Sequence, residues 1–92
     1  MASVVYRRRR GTLTKLVDGE AFIITKSTIQ HLNASATFIW MVLSAAAPHR
    51  DILAMLQELY PQVPRATLSA DVRRTLGALR KMRLVTGSKS GS

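Results

Sequence analysis

The stretch HLNASATFIWMVL, from His31 to Leu43, decides how the rest of the chain is read. His31-Leu32 closes a short strand-like run. Asn33 then offers a side-chain oxygen to a free N–H of a first helical turn, which makes it a good N-cap. Beyond it, Phe38, Ile39, Met41, Val42 and Leu43 leave almost no polar face, and Trp40 is the one tryptophan of the chain. A helix that is apolar nearly all round belongs inside a domain. The pattern predicts a helix from Ala34 to about Ala46, stopped by Pro48. Trp40 and Phe38 could form a platform for stacking bases, but their place among aliphatic neighbours favours the core.

Towards the N-terminus the periodicity changes. Residues 12–17, TLTKLV, are β-branched and apolar, and Asp18-Gly19 follows as a hairpin turn whose type I′ form needs positive φ at both positions. Glu20–Thr25 returns as a second strand, and Lys26-Ser27 makes another turn. Thr28–Leu32 then reads as a third, short strand, with Ile29 and His31 on one face and Gln30 and Leu32 on the other. Towards the C-terminus two more helices are expected. The first runs from about His49 to Leu59, carries Ile52, Leu53, Leu56 and Leu59 on one side, and ends before Pro61. The second opens at Pro64 and has the apolar stripe Leu68, Val72, Leu76, Leu79 and Met82. Arg65, Arg73, Arg74, Arg80, Lys81 and Arg83 cover much of the rest, and cations in a last turn suit the helix dipole. The expected fold class is α+β, a three-stranded antiparallel sheet followed by three helices.

At 92 residues there is room for one domain. Residues 1–11 are expected as a basic flexible arm, 12–85 as the domain, and 86–92, of linker composition, as a disordered tail. Apolar residues make up 47% of the chain, enough for a core. A chain this short still buries only about 60–65% of its unfolded surface. Cysteine is absent, which excludes disulfides, thiolate chemistry and cysteine-based metal sites and fits a reducing cytoplasm. With His31 and His49 as the only histidines, no metal and no cofactor is expected. No apolar run approaches the roughly 18–20 residues that span a bilayer, so no membrane partner is expected. Arg7–Arg10 leads into GTLTK and not into an apolar run, so it does not read as a secretory signal.

The net charge is +9, with half of the basic residues from Arg65 onward and four more in Arg7–Arg10. Such clustering attracts polyanions: nucleic acid, an acidic peptide or an acidic protein face. Arg7–Arg10 is either a solvated tail or an arm for such a partner. The five acidic residues are scattered, nothing arranges Ser, His and Asp as a relay, and no glycine-rich phosphate loop is present. The chain reads as a binding module and not as an enzyme. Three helices can cover one face of a three-stranded sheet but not both of its edges. An uncovered edge is a row of free N–H and C=O groups, ready to accept another strand.

The run from Ile23 to Leu43 resembles the PqqD-like family, whose members are also called RiPP recognition elements, for ribosomally made, post-translationally modified peptides. The resemblance lies in Ile23-Ile24, Leu32-Asn33, the small residues Ala34-Ser35-Ala36 and the pair Ile39-Trp40. It continues in Tyr60, Pro61, Pro64, Asp71-Val72, Leu76, Leu79 and Leu84-Val85, and so covers about residues 12–85. The turn Ala34–Thr37 lacks the glycine often found there in the family. The resemblance implies a winged-helix-like fold and a peptide chaperone. It would bind the leader of a precursor peptide and deliver it to a separate maturation enzyme, often a radical SAM protein. It implies that the leader adds as a strand along Thr28, Ile29, Gln30, His31 and Leu32 and lies against the third helix. Arg73 and Arg80, seven apart, would line that groove and pair with acidic leader residues, with Leu76 as an apolar floor. Arg74 and Lys81 form the equivalent pair on the other flank, and a helical wheel does not choose between them. The rival expectation is a winged-helix nucleic-acid-binding protein in which Arg73, Arg74 and Arg80 touch phosphates or base edges. A third is a structural subunit that uses the same edge to dimerise.

Overall fold

A computed structural model describes residues 4–89. Its elements run β1 (Val4–Arg8), β2 (Leu13–Val17), β3 (Glu20–Ile24), β4 (Ile29–His31), α1 (Ala34–Val42), β5 (Ala47–Pro48), α2 (His49–Leu59), α3 (Arg65–Lys81) and β6 (Val85–Lys89). They form two three-stranded antiparallel sheets, ordered β2-β3-β4 and β5-β1-β6, and three helices. The first sheet and the helices are those expected from the sequence.

The β2–β3 hairpin turns at Asp18 and Gly19, with φ of 52° and 80°, and pairs Val17 with Glu20. Positive φ at both positions gives this turn the right-handed twist of its strands. The next turn is held by Thr25, whose Oγ1 accepts from the Thr28 N–H at 3.0 Å while its own N–H donates to the Thr28 carbonyl at 2.9 Å. The chain is thereby aimed into β4. Asn33 caps α1: its side chain accepts from the Ala36 N–H at 2.9 Å. Thr37 ties that helix to the sheet, with Oγ1 accepting from the Ala21 N–H at 2.8 Å and donating to the Leu32 carbonyl at 3.2 Å.

The core joins Ala21 and Ile23 of β3 to Ile39, Trp40 and Leu43, to Ile52, Leu53 and Leu56 of α2, and to Leu68, Val72, Leu76 and Leu79 of α3. Trp40 is fully buried, and its indole N–H donates to Thr14 Oγ1 at 2.8 Å. Phe38 is half-buried against the same core. Leu59, expected on the buried side of α2, lies exposed at its last position.

The second sheet corrects the expected arm and tail. Val4–Arg8 pairs with Val85–Lys89 along its whole length, and Val5 and Tyr6 also pair with Pro48 and Ala47. Residues 1–3 and 90–92 of the expected arm and tail lie outside the described residues. The physical reason lies in the apolar residues beside the charges: Tyr6 packs on the core and Val85 is buried. Gly87 lies opposite Tyr6, where a Cβ would come within 3.2 Å of the tyrosine ring. The glycine that suggested a linker therefore lets an aromatic ring lie across the strand. Arg8, expected as mobile charge, reaches the C-terminal end of α1. Its Nε and NH2 donate to the Trp40 carbonyl at 3.1 and 2.7 Å, and its guanidinium lies 4.4 Å from the centroid of the Trp40 ring. Burial lowers the Arg8 pKa. An arginine still keeps its charge in a protein. Helix α1 ends at Val42, short of the expected Ala46, and Ala47, kept from helical backbone by Pro48, pairs with Tyr6.

Candidate functional site

Strand β4 is an edge, since no described strand pairs with its outer side. Thr28 and Leu32 turn their main chains inward, through the Thr25 N–H to Thr28 carbonyl bond and the Leu32 N–H to Ala21 carbonyl bond, at 2.9 and 2.8 Å. Antiparallel pairing alternates, so Gln30, opposite Ile23, also faces β3. Ile29 and His31 therefore point their N–H and C=O groups away from the sheet. Of the five residues expected to dock a strand, these two carry the free main-chain groups. Leu32 belongs to the core, at 4% exposure. The His31 side chain lies on the outer sheet face, where its Nε2 is 2.7 Å from Glu20 Oε1 and its ring is 4.9 Å from that of Phe22.

Helix α3 presents two flanks beside its buried stripe. At about 3.6 residues per turn, Asp71, Thr75, Ala78 and Met82 fall on one flank and Arg73, Gly77 and Arg80 on the other. The first flank is the one beside β4. A recess of about 340 Å³ lies between Asn33, Ser35 and Ile39 on one wall and Asp71, Arg74 and Thr75 on the other. A second, of about 670 Å³, lies between the Thr25–Thr28 turn and Met82, Arg83 and Leu84. Strand β4 connects the two, since Thr28 lines one and Asn33 the other. Residues 28 to 33 span about 17 Å of extended chain, and residues 71 to 82 about 16 Å of helix. The segment from Thr28 to Asn33 and α3 thus border the same two recesses and are matched in length.

Arg73, Leu76 and Arg80 line neither of these. They line a separate recess of about 400 Å³ with Tyr6, His49 and Gly77. The structure brings Thr28–Leu32 beside the other flank, whose arginine, Arg74, is hydrogen-bonded to Asp71. Leu76 is 2% exposed and is a core residue first. The sequence does not choose the flank because the choice depends on where β1 packs, and residues 4–8 have the composition of a basic arm. Asn33, Ser35 and Thr75, which the sequence does not single out for docking, line the recess on the β4 side.

The fold is an α+β domain of winged-helix-like type, with an open strand edge and recesses along its last helix. The chain belongs to the PqqD family: the family described as coenzyme PQQ synthesis protein D matches residues 9–85. A search of curated proteins finds no match. Among solved structures, the chain is similar to TbiB1 in complex with the TbiA(beta) leader peptide, with 23% identity and a TM-score of 0.76 over 94% of this chain and 96% of that one. It is also similar to the PqqD truncation of Methylobacterium extorquens PqqCD, a stand-alone RiPP recognition element. That match has 18% identity and a TM-score of 0.75 over 89% of this chain and 88% of that one. Both likenesses concern the fold.

Proposed function

We propose that this domain binds the leader of a ribosomally made precursor peptide by strand addition at β4 and presents it to a separate modifying enzyme. The observation that carries the reading is the pair of outward main chains at Ile29 and His31, set along a cleft with α3 as its other wall. An extended peptide there gains main-chain hydrogen bonds at two alternate positions. Its inward side chains meet Thr75, Ala78 and Met82, so alternate pockets select sequence. TbiB1, of the same fold, carries a leader peptide, which supports the same occupant here. The covalent chemistry is assigned to the enzyme, and the setting to the cytoplasm, with which the lack of cysteine agrees. Ordering a flexible leader costs free energy, so the expected Kd lies between roughly tens of nanomolar and micromolar.

The test uses synthetic leader segments of candidate precursor peptides, titrated into the labelled protein. Amide shifts should concentrate on Ile29–His31 and on Thr75–Met82. Ile29→Pro removes an N–H that has no partner within the fold, so stability should change by less than about 1 kcal/mol. Leader affinity should fall by about tenfold or more, because a leader carbonyl is left unpaired. Shifts centred on α2, or an Ile29→Pro variant that binds as well as the parent, would refute the reading.

A further inference from the structure

The flank of α3 that faces away from β4 carries a second, separate feature. Arg73 and Arg80 are both exposed and, among the described residues, neither has a hydrogen-bond or ion-pair partner. Between them the recess has the Tyr6 ring and Leu76 as apolar lining and His49 at its side. His49 is held in place by donating from Nε2 to the Ser69 carbonyl at 3.3 Å. A neighbouring recess of about 340 Å³ shares Arg80 and adds Arg9 and Arg83. Four arginines thus line two adjoining hollows, and the domain's acidic residues do not neutralise them. Asp71 is bonded to Arg74 and Glu20 to His31.

Two residues of this face go against local preference. Gly77 sits inside α3, where glycine is less favourable than alanine. No packing explains it: a Cβ there would meet nothing within 4 Å and would stand in the mouth of the recess. Arg83 follows the end of α3 with φ 61°, in the left-handed region where glycine is favoured. The Leu84 N–H to Leu79 carbonyl bond and the Arg83 N–H to Arg80 carbonyl bond close this helix end as a Schellman motif. A glycine where a side chain would stabilise keeps the first hollow open, and an arginine where glycine would adds a cation to the second. Departures of this kind from local consistency are expected at sites of function.

We infer that this flank is a docking surface for an acidic protein segment, in which two carboxylates pair with Arg73 and Arg80 across a small side chain lying over Gly77 and Tyr6. The arginine positions are seven residues apart, about 10 Å along the helix. In a polyproline-II segment, residues i and i+3 lie on one side about 9 Å apart, a close match. Nucleic acid is the less suitable partner, because the cations line hollows between helix and sheet, with the apolar Tyr6 and Leu76 between them. Arg9 and Arg83 also border the recess beside the Thr25–Thr28 turn, but Tyr6, His49, Arg73, Gly77 and Arg80 do not, so either surface can fail without the other.

The probe is an acetylated Gly-Glu-Pro-Ala-Glu-Gly peptide, with its two-glutamine counterpart and a short duplex DNA as controls, followed by NMR at low salt. The glutamate peptide should shift Tyr6, His49, Gly77 and the Arg73 and Arg80 side chains, and leave Ile29 and His31 unmoved. Arg73→Gln and Arg80→Gln should each weaken it by about fivefold or more, and Arg65→Gln, on the same helix outside the recess, by less than about twofold. Gly77→Ala and Arg83→Gly should each raise Tm by roughly 3–6 °C and yet weaken the peptide by about threefold or more. The inference is overturned if the glutamine peptide binds equally well or if Arg65→Gln costs as much as Arg73→Gln. It is also overturned if Gly77→Ala binds unchanged, or if the DNA displaces the peptide and shifts the same residues more strongly.

Discussion

The two flanks of α3 differ in what stands opposite them. On one side lies the edge of β4, and the local arginine, Arg74, is held by Asp71. On the other lies β1, and Arg73 and Arg80 stand without partners among the described residues. The first flank borders a cleft open to main-chain hydrogen bonding, while the second borders hollows whose recognition rests on charge. One helix with one apolar stripe therefore presents two kinds of surface, and the strand across from each flank decides which. The difference teaches that a helical wheel defines flanks but only the tertiary partner gives them meaning.

The largest expected effect tests whether β1 is part of the domain at all. Removing the residues through Arg8 deletes the Tyr6 packing and the Arg8 bonds to Trp40. It should cost about 3–6 kcal/mol, a large share of what so small a domain has. Urea unfolding measures this, and a truncated chain with unchanged stability would erase the contrast between the flanks. Next comes Arg8→Met, which keeps a long apolar stem but loses two charge-assisted hydrogen bonds and the contact over Trp40. The expected loss is about 1.5–3 kcal/mol by the same assay. The smallest effect makes one flank more like the other. Asp71→Asn frees Arg74 from an exposed pair worth about 0.2–1 kcal/mol. Affinity for an acidic leader should rise by about two- to fivefold in a calorimetric titration, with little change for a neutral one.

Much of the fold was legible because its signals were local. Asp18-Gly19 demanded a hairpin, Asn33 capped a helix, and Leu68, Val72, Leu76 and Leu79 marked one buried face. The open edge followed from counting strands against helices. What stayed hidden depended on pairing between the two ends of the chain. Val4–Arg8 and Val85–Lys89 are more than seventy residues apart, and each looked like tail because arginine, glycine and serine outweighed the valines and Tyr6. Without the pairing of β1, nothing in the sequence says which flank of α3 faces β4. The family resemblance implies Arg73, Leu76 and Arg80 along the groove, with Arg74 and Lys81 as the equivalent pair, and the structure sets Arg73, Leu76 and Arg80 beside Tyr6 and His49. Within Thr28–Leu32, the division between outward and inward main chains came only from the register of β4 on β3.

The central claim is that a foreign strand completes the sheet at β4, and amide hydrogen exchange with and without a bound leader tests it most directly. The expected result is an alternation. Exchange at Ile29 and His31, which point outward in the free protein, should slow strongly on binding, while Gln30, already bonded to β3, should change little. A leader that binds while Ile29 and His31 exchange as fast as before would contradict the claim.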